Sequence, residues 1–83
     1  MKIVTNKKAN EYHKYQTFGS RLDDTMFCQN ITNQELAKKM FVSSSTISGY
    51  RTGRRSPSVT DLAALSKILD VSADYLIGLK DEP

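Results

Sequence analysis

Apolar residues along the chain recur at helical rather than strand spacing. Phe18, Leu22 and Met26 lie four residues apart, which places them on one face of an amphipathic helix. A similar stripe runs from Leu62 to Leu69. No segment shows the strict alternation of apolar and polar residues that a half-buried strand needs. The pattern therefore predicts an all-α protein.

Capping residues mark where the predicted helices begin and end. Thr32 followed by Glu35 forms a capping box, in which each side chain bonds to the other residue's backbone amide. Further serines that can cap helix N-termini are Ser43, Ser58 and Ser72. We expect Asn30 and Gly53 to take the left-handed conformation at helix C-termini. These signals predict five helices, at about residues 17–29, 32–40, 43–52, 58–69 and 73–77.

The chain divides by composition into three parts. Residues 1–17 are polar and basic with little periodic apolar content, which predicts a flexible N-terminal arm. Residues 18–79 carry the predicted helices, and residues 80–83 remain as a C-terminal tail. A length of 83 residues leaves room for one domain only.

Residue types on which most enzymes rely are scarce in this sequence. It has one His and one Cys, whereas a zinc site needs about four such ligands. A Ser-His-acid triad has only His13 to draw on, and neither the phosphate-binding nor the dinucleotide-binding glycine motif occurs. We therefore predict a protein that is not an enzyme, with no catalytic residues, metal site, cofactor or evident small-molecule ligand.

Cysteine usage and hydropathy indicate the compartment. The lone Cys28 cannot form an internal disulfide, which is typical of a reducing environment. No apolar run approaches the roughly 20 residues of a membrane span, and the N-terminus lacks the apolar region of a secretion signal. We expect a cytoplasmic protein with no membrane contact.

The net charge of +3 is unevenly distributed along the chain. Residues 1–22 contain five basic residues and one acidic residue, and residues 32–56 show the same balance. Residues 57–83 instead contain two basic and five acidic residues. This separation suggests one face toward a polyanion such as nucleic acid and an acidic face turned away from it.

Two short predicted helices in the middle of the chain form a helix-turn-helix pattern. The first, Thr32–Met40, is joined by a short turn to the second, Ser43–Thr52, which is rich in small polar residues. Ala37 supplies the small side chain needed where two helices cross closely. Val42 ends the turn, and Ile47 anchors the second helix against the first.

The sequence ITNQELAKKMFVSSSTISGYRTGRRSPS at residues 31–58 resembles the Cro/CI-type helix-turn-helix repressors (XRE family) of phages and mobile elements. The similarity covers about residues 18–79 and includes both cap-and-turn junctions. It implies a five-helix, lambda-repressor-like DNA-binding domain that regulates transcription, as a repressor, in the cytoplasm of a bacterium or a phage-infected host cell.

The resemblance also implies how the domain meets double-stranded DNA. A homodimer would bind a palindromic operator, with recognition helix Ser43–Thr52 in the major groove. The residues implied to face the bases are Ser44, Ser45, Thr46, Ser48 and Gly49. Those implied to contact the DNA backbone are Asn33, Ser43, Arg51, Arg54 and Arg55.

Three departures from the family pattern alter these expectations. The base-facing residues are unusually small, so we expect selectivity from close backbone approach at Gly49, water, DNA shape or the arm. Met26 and Arg51 occupy the positions of a family salt bridge that cannot form here, which leaves Arg51 to turn toward phosphate or toward Asp23. Phe41 replaces the usual turn glycine, so a left-handed residue is disfavoured there, and we expect a slightly remodelled turn with Phe41 covering the core.

The last predicted helix has more apolar residues than a short terminal helix can bury. Some are expected to face the core and the remainder to form a dimer surface. The candidates are Tyr75, Leu76, Ile77 and Leu79.

A second class of function stays open from the sequence alone. An antitoxin or accessory module would use the same fold to grip a partner protein instead of DNA. Arg54 and Arg55 beside the predicted recognition helix favour DNA.

Overall fold

The computed structural model describes residues 17–83, within which it contains five α-helices and no strand. They are α1 (Phe18–Gln29), α2 (Asn33–Met40), α3 (Ser44–Thr52), α4 (Val59–Leu69) and α5 (Ala73–Leu76). The prediction of an all-α domain is confirmed for this part of the chain. The predicted N-terminal arm lies outside the described residues, apart from Thr17. None of these five helices is long and apolar enough to cross a bilayer.

Hydroxyl side chains cap every one of these helices. The N-caps are Thr17, Thr32, Ser43, Ser58 and Ser72. The predicted capping box is present: Thr32 Oγ1 accepts from Glu35 N at 3.1 Å, and Glu35 Oε1 accepts from Thr32 N at 2.8 Å. Because its charged form accepts this bond, Glu35 has a pKa below its usual value. The predicted left-handed C-caps Asn30 and Gly53 are also confirmed.

The core is built from the apolar stripes that the sequence predicts. Leu22 and Met26 of α1 are fully buried, as are Leu36, Ile47 and Leu65 from the next three helices. α1 and α2 both pack against α3 and hold it in place. As a result, the inner face of α3 is fixed while its N-terminal end remains at the surface.

At Gly19, α1 lies close to the backbone of α3. A Cβ added there would lie 2.9 Å from the carbonyl oxygens of both Tyr50 and Arg51. These are backbone atoms near the end of α3, so a side chain at residue 19 would push the two helices apart. The glycine therefore sets how deeply α1 seats against α3.

Phe41 contradicts both expectations for the turn between α2 and α3. It adopts a left-handed conformation, with φ of 60°, and its side chain is 94% exposed instead of covering the core. The reason lies in the helix end: Phe41 N and Val42 N both bond back to the Ala37 carbonyl, which requires the left-handed residue. Packing of Val42 against the core outweighs the preference of Phe41 for other conformations.

This strain predicts that Phe41→Gly stabilises the domain. A left-handed conformation costs a non-glycine residue about 1–2 kcal/mol, and the unfolded-state entropy of glycine offsets about half of that. We expect the free energy of unfolding to rise by about 1 kcal/mol, measured by urea titration. Phe41→Ala should leave it nearly unchanged, because alanine keeps the Cβ and only the exposed ring is lost. A Phe41→Gly variant less stable than Phe41→Ala would contradict the argument.

The predicted C-terminal tail, residues 80–83, folds back onto α1. The Arg21 guanidinium is buried, donates to the Lys80 carbonyl at 3.0 Å and lies 3.4 Å from the Asp81 carboxylate. It also lies 4.4 Å from the centre of the Tyr75 ring. These contacts join the tail and α5 to the first helix.

Candidate nucleic-acid interface

The N-terminal end of α3 presents a surface of small hydroxyl side chains. Ser44 and Ser45 are exposed, and Thr46 and Ser48 are half-buried. The opposite side of the helix is anchored by Ile47, which is fully buried. Four of the five predicted base-facing residues therefore lie at the accessible side of the helix.

Ser43 organises these hydroxyls. Its Oγ accepts from Thr46 N at 3.2 Å and lies 3.0 Å from both Ser45 Oγ and Thr46 Oγ1. Since either oxygen of a hydroxyl pair can donate, this small network can offer donors or acceptors to a ligand. Ser43, predicted to contact the DNA backbone, is exposed and serves first as the helix cap.

Gly49 is the exception among the predicted base-facing residues. It is buried, and a Cβ added to it would lie 2.9 Å from Cδ and 3.0 Å from Cγ of Arg55. The predicted close approach of DNA to the helix backbone at Gly49 would therefore require the Arg55 side chain to move aside. The Arg55 side chain occupies that space, because the chain after α3 turns back and Arg55 N bonds to Gly49 O at 3.0 Å.

Arg51 is held by other side chains instead of projecting as a free cation. Its Nε donates to Asp23 Oδ1 at 2.8 Å, its Nη2 lies 2.6 Å from the same oxygen, and its Nη1 donates to Asn33 Oδ1 at 2.5 Å. Of the two orientations left open by the sequence, the structure has the one toward Asp23. In the free protein Arg51 thus joins α1, α2 and α3, and its contact with the DNA backbone stays a prediction.

The same contact orients Asn33 at the start of α2. Because Asn33 Oδ1 accepts from Arg51, the amide group is fixed with its nitrogen left to donate. Asn33 is the first residue of α2, where backbone amides lack helical partners and the helix dipole favours an anion. This end of α2 suits a phosphate group.

Arg54 and Arg55 follow Gly53, the C-cap of α3, and are both exposed. Within residues 17–83, neither guanidinium forms a hydrogen bond or an ion pair. Along the sequence, Asn33 thus precedes the hydroxyl surface of α3, and two positive charges without an ion-pair partner in the described residues follow it. Charge of this sign beside an accessible helix end matches a polyanionic ligand.

Tyr50 fixes the buried side of α3 through contacts with α4 and α1. Its hydroxyl donates to Asp61 Oδ2 of α4 at 3.2 Å, and its ring meets Phe18 edge-on, with centroids 5.9 Å apart. Burial and the nearby Asp61 carboxylate raise the pKa of Tyr50 above its usual value, so the phenol stays neutral and keeps donating. The sequence did not predict the Tyr50–Asp61 hydrogen bond or the close contact of α1 with α3 at Gly19. The one signal for the contact at Gly19 was an isolated glycine inside a helix.

The predicted dimer residues separate into two groups. Leu76 is fully buried in the core, so it is not available to a partner, and its assignment to the dimer surface is wrong. Tyr75 is half-buried beside Arg21, while Ile77 and Leu79 are 44% and 72% exposed. Leu76 turns inward because the short α5 must close the core against α1.

Comparison with known proteins agrees with this arrangement. The helix-turn-helix family HTH_3 matches residues 29–76, from the end of α1 through α5. The chain belongs to this family of XRE-type helix-turn-helix proteins. Its DNA-binding fold is that of the lambda- and 434-like repressor domains.

Individual helix-turn-helix relatives extend the comparison. The domain is 33% identical over 67 residues, 70% of this chain and 60% of the relative, to the HTH-type transcriptional regulator YobD of Bacillus subtilis. It is 35% identical over 66 residues, 80% of this chain and 51% of the relative, to the regulator ImmR of the same organism. The alignments thus span little more than half the length of these curated relatives.

A solved structure matches most of the chain. The P22 c2 repressor, in complex with a synthetic operator, superposes with a TM-score of 0.74 at 32% identity. The match covers 78% of this chain and 98% of the repressor chain. This helix-turn-helix chain therefore shares the fold of a protein whose structure was solved on DNA.

Proposed function

We propose that this protein is a sequence-specific, DNA-binding transcriptional repressor that binds a palindromic operator as a homodimer. The observation that carries the proposal is the accessible N-terminal end of α3, where Ser44 and Ser45 are exposed. After the helix come two arginines, Arg54 and Arg55, that pair with no residue in the described part of the chain. In helix-turn-helix proteins this end of the second helix meets the base edges in the major groove.

Two further features support a duplex as the ligand. Asn33, with its amide nitrogen available at the start of α2, is suited to one phosphate, and Arg54 is suited to another. The P22 c2 repressor, which has the same fold, was solved with operator DNA. α3 would lie in the groove while α2 crosses the phosphate backbone.

The dimer is proposed from the apolar surface beside α5. Ile77 and Leu79 remain exposed after the core has taken Leu76. A two-fold dimer buries the same surface of both subunits, and it would double the number of phosphate contacts on a symmetric site.

The proposal is tested by selecting bound fragments from a random-sequence duplex library and then titrating salt. We expect enrichment of a palindrome, with a logarithm of affinity that falls linearly with the logarithm of salt concentration. Sedimentation on the enriched duplex should give two chains per site. Binding without any enriched sequence would contradict sequence-specific recognition. Failure to bind DNA at low salt would favour the protein-interaction alternative.

A further inference from the structure

Arg55 occupies the space that a side chain at position 49 would take on the recognition helix. Its Cβ, Cγ and Cδ lie 3.3, 3.0 and 2.9 Å from the point where a Gly49 Cβ would be. The aliphatic part of the arginine therefore lies flat across α3. Gly49 is the residue that makes this possible, because any larger residue would displace the arginine.

The backbone fixes where this arginine starts. Arg55 N donates to Gly49 O at 3.0 Å, so the loop after α3 closes onto the same residue that the side chain covers. The guanidinium beyond Cδ forms no hydrogen bond or ion pair with any residue in the range 17–83. The packed stem keeps the Arg55 guanidinium close to α3, and all of its donors remain available to a ligand.

The hydroxyl side chains of α3 cannot by themselves account for strong base specificity. Ser44, Ser45 and Ser48 each carry one rotatable hydroxyl, which can donate or accept and therefore discriminates weakly among bases. A guanidinium has a fixed fork of donors that matches O6 and N7 of guanine in the major groove. Gly49 lies four residues after Ser45 and so shares its face of α3, which places the Arg55 stem packed on Gly49 beside these hydroxyl side chains.

We propose that Arg55, seated on Gly49, is a base-reading residue of this domain that recognises a guanine in each operator half-site. The inference rests on the proposed function, since it places α3 in the major groove. It assigns different roles to two adjacent arginines: Arg55 reads a base, whereas Arg54 contacts a phosphate. The side chain at the usual base-facing position is thus replaced by one that arrives from the following loop.

The test uses the operator selected by the wild-type protein and the matched pair Arg55→Ala and Arg54→Ala. Each variant removes one positive charge, so both should weaken binding to random duplex DNA by a similar factor. Arg55→Ala alone should also lose the preference for one guanine per half-site, which we expect to be about 10-fold or more. Arg54→Ala should keep that preference while its overall affinity falls.

Replacement of individual operator guanines by 7-deazaguanine removes only the N7 acceptor and gives a second readout. Wild-type protein and Arg54→Ala should lose affinity at one shared position, whereas Arg55→Ala should be insensitive there. Gly49→Ala should show the same insensitivity with a melting temperature at or above that of the wild type, because its Cβ displaces the arginine stem and leaves the fold intact.

The outcomes separate this inference from the proposed function. Equal losses for Arg54→Ala and Arg55→Ala on operator and random DNA, with all base preferences retained, would overturn the base-reading role alone. Wild-type protein that selects no sequence would overturn the proposed function, and the role of Arg55 with it.

Discussion

A Gly19→Ala variant is expected to lose about 2 kcal/mol of unfolding free energy and to melt roughly 10 °C below the wild-type protein. The new Cβ would lie 2.9 Å from two carbonyl oxygens of α3. Backbone atoms inside a packed helix cannot move independently, so α1 must shift away from α3. That shift would loosen the contact of Phe18 with Tyr50 and the burial of Leu22.

Gly49→Ala provides the matched control, because it adds the same methyl group to a helix of the same domain. Its nearest neighbour is also 2.9 Å away, but that neighbour is a methylene of the flexible and exposed Arg55 side chain. We expect this variant to equal the wild-type protein or to gain up to about 1 kcal/mol from the better helix propensity of alanine. Equal stability of the two variants in urea titration would refute the assignment of Gly19 as the fixed crossing point.

Local signals in the sequence were sufficient to predict most of the secondary structure. The N-caps and the capping box depend on residues three positions apart, so Thr32 and Glu35 can be recognised without knowledge of the tertiary fold. The same holds for Asn30, which tolerates a left-handed conformation by its own chemistry. The apolar stripes likewise predict the core, because the helical period fixes which residues share a face.

Features that depend on two distant segments could not be predicted in this way. Phe41 has a poor propensity for its conformation, and only the packing of the following Val42 explains it. Gly49 and Arg55 are brought together by the path of the loop after α3, which no periodic pattern encodes. The partner of Arg51 stayed open between phosphate and Asp23 for the same reason, since the choice depends on how α1 crosses α3.

Ser45→Glu is expected to abolish operator binding while leaving the domain folded. Ser45 is the second residue of α3 and is exposed at its N-terminal end. A carboxylate there would face the phosphates and acceptor-rich base edges of the proposed complex, and like charges placed together cost several kcal/mol. We expect the affinity for the selected operator to fall by more than about 100-fold, measured by fluorescence anisotropy at fixed salt.

The folding stability of Ser45→Glu should stay the same or rise, although its affinity for DNA falls. An acidic residue in the first turn of a helix interacts favourably with the helix dipole, by about 0.3–1 kcal/mol. A melting temperature at or above the wild-type value would therefore show that the loss of binding does not come from unfolding. Ala63→Glu is the control, since it adds the same charge at an exposed position of α4, outside the proposed interface. If Ala63→Glu weakens binding as much as Ser45→Glu, the effect is one of net charge, and α3 does not lie in the groove.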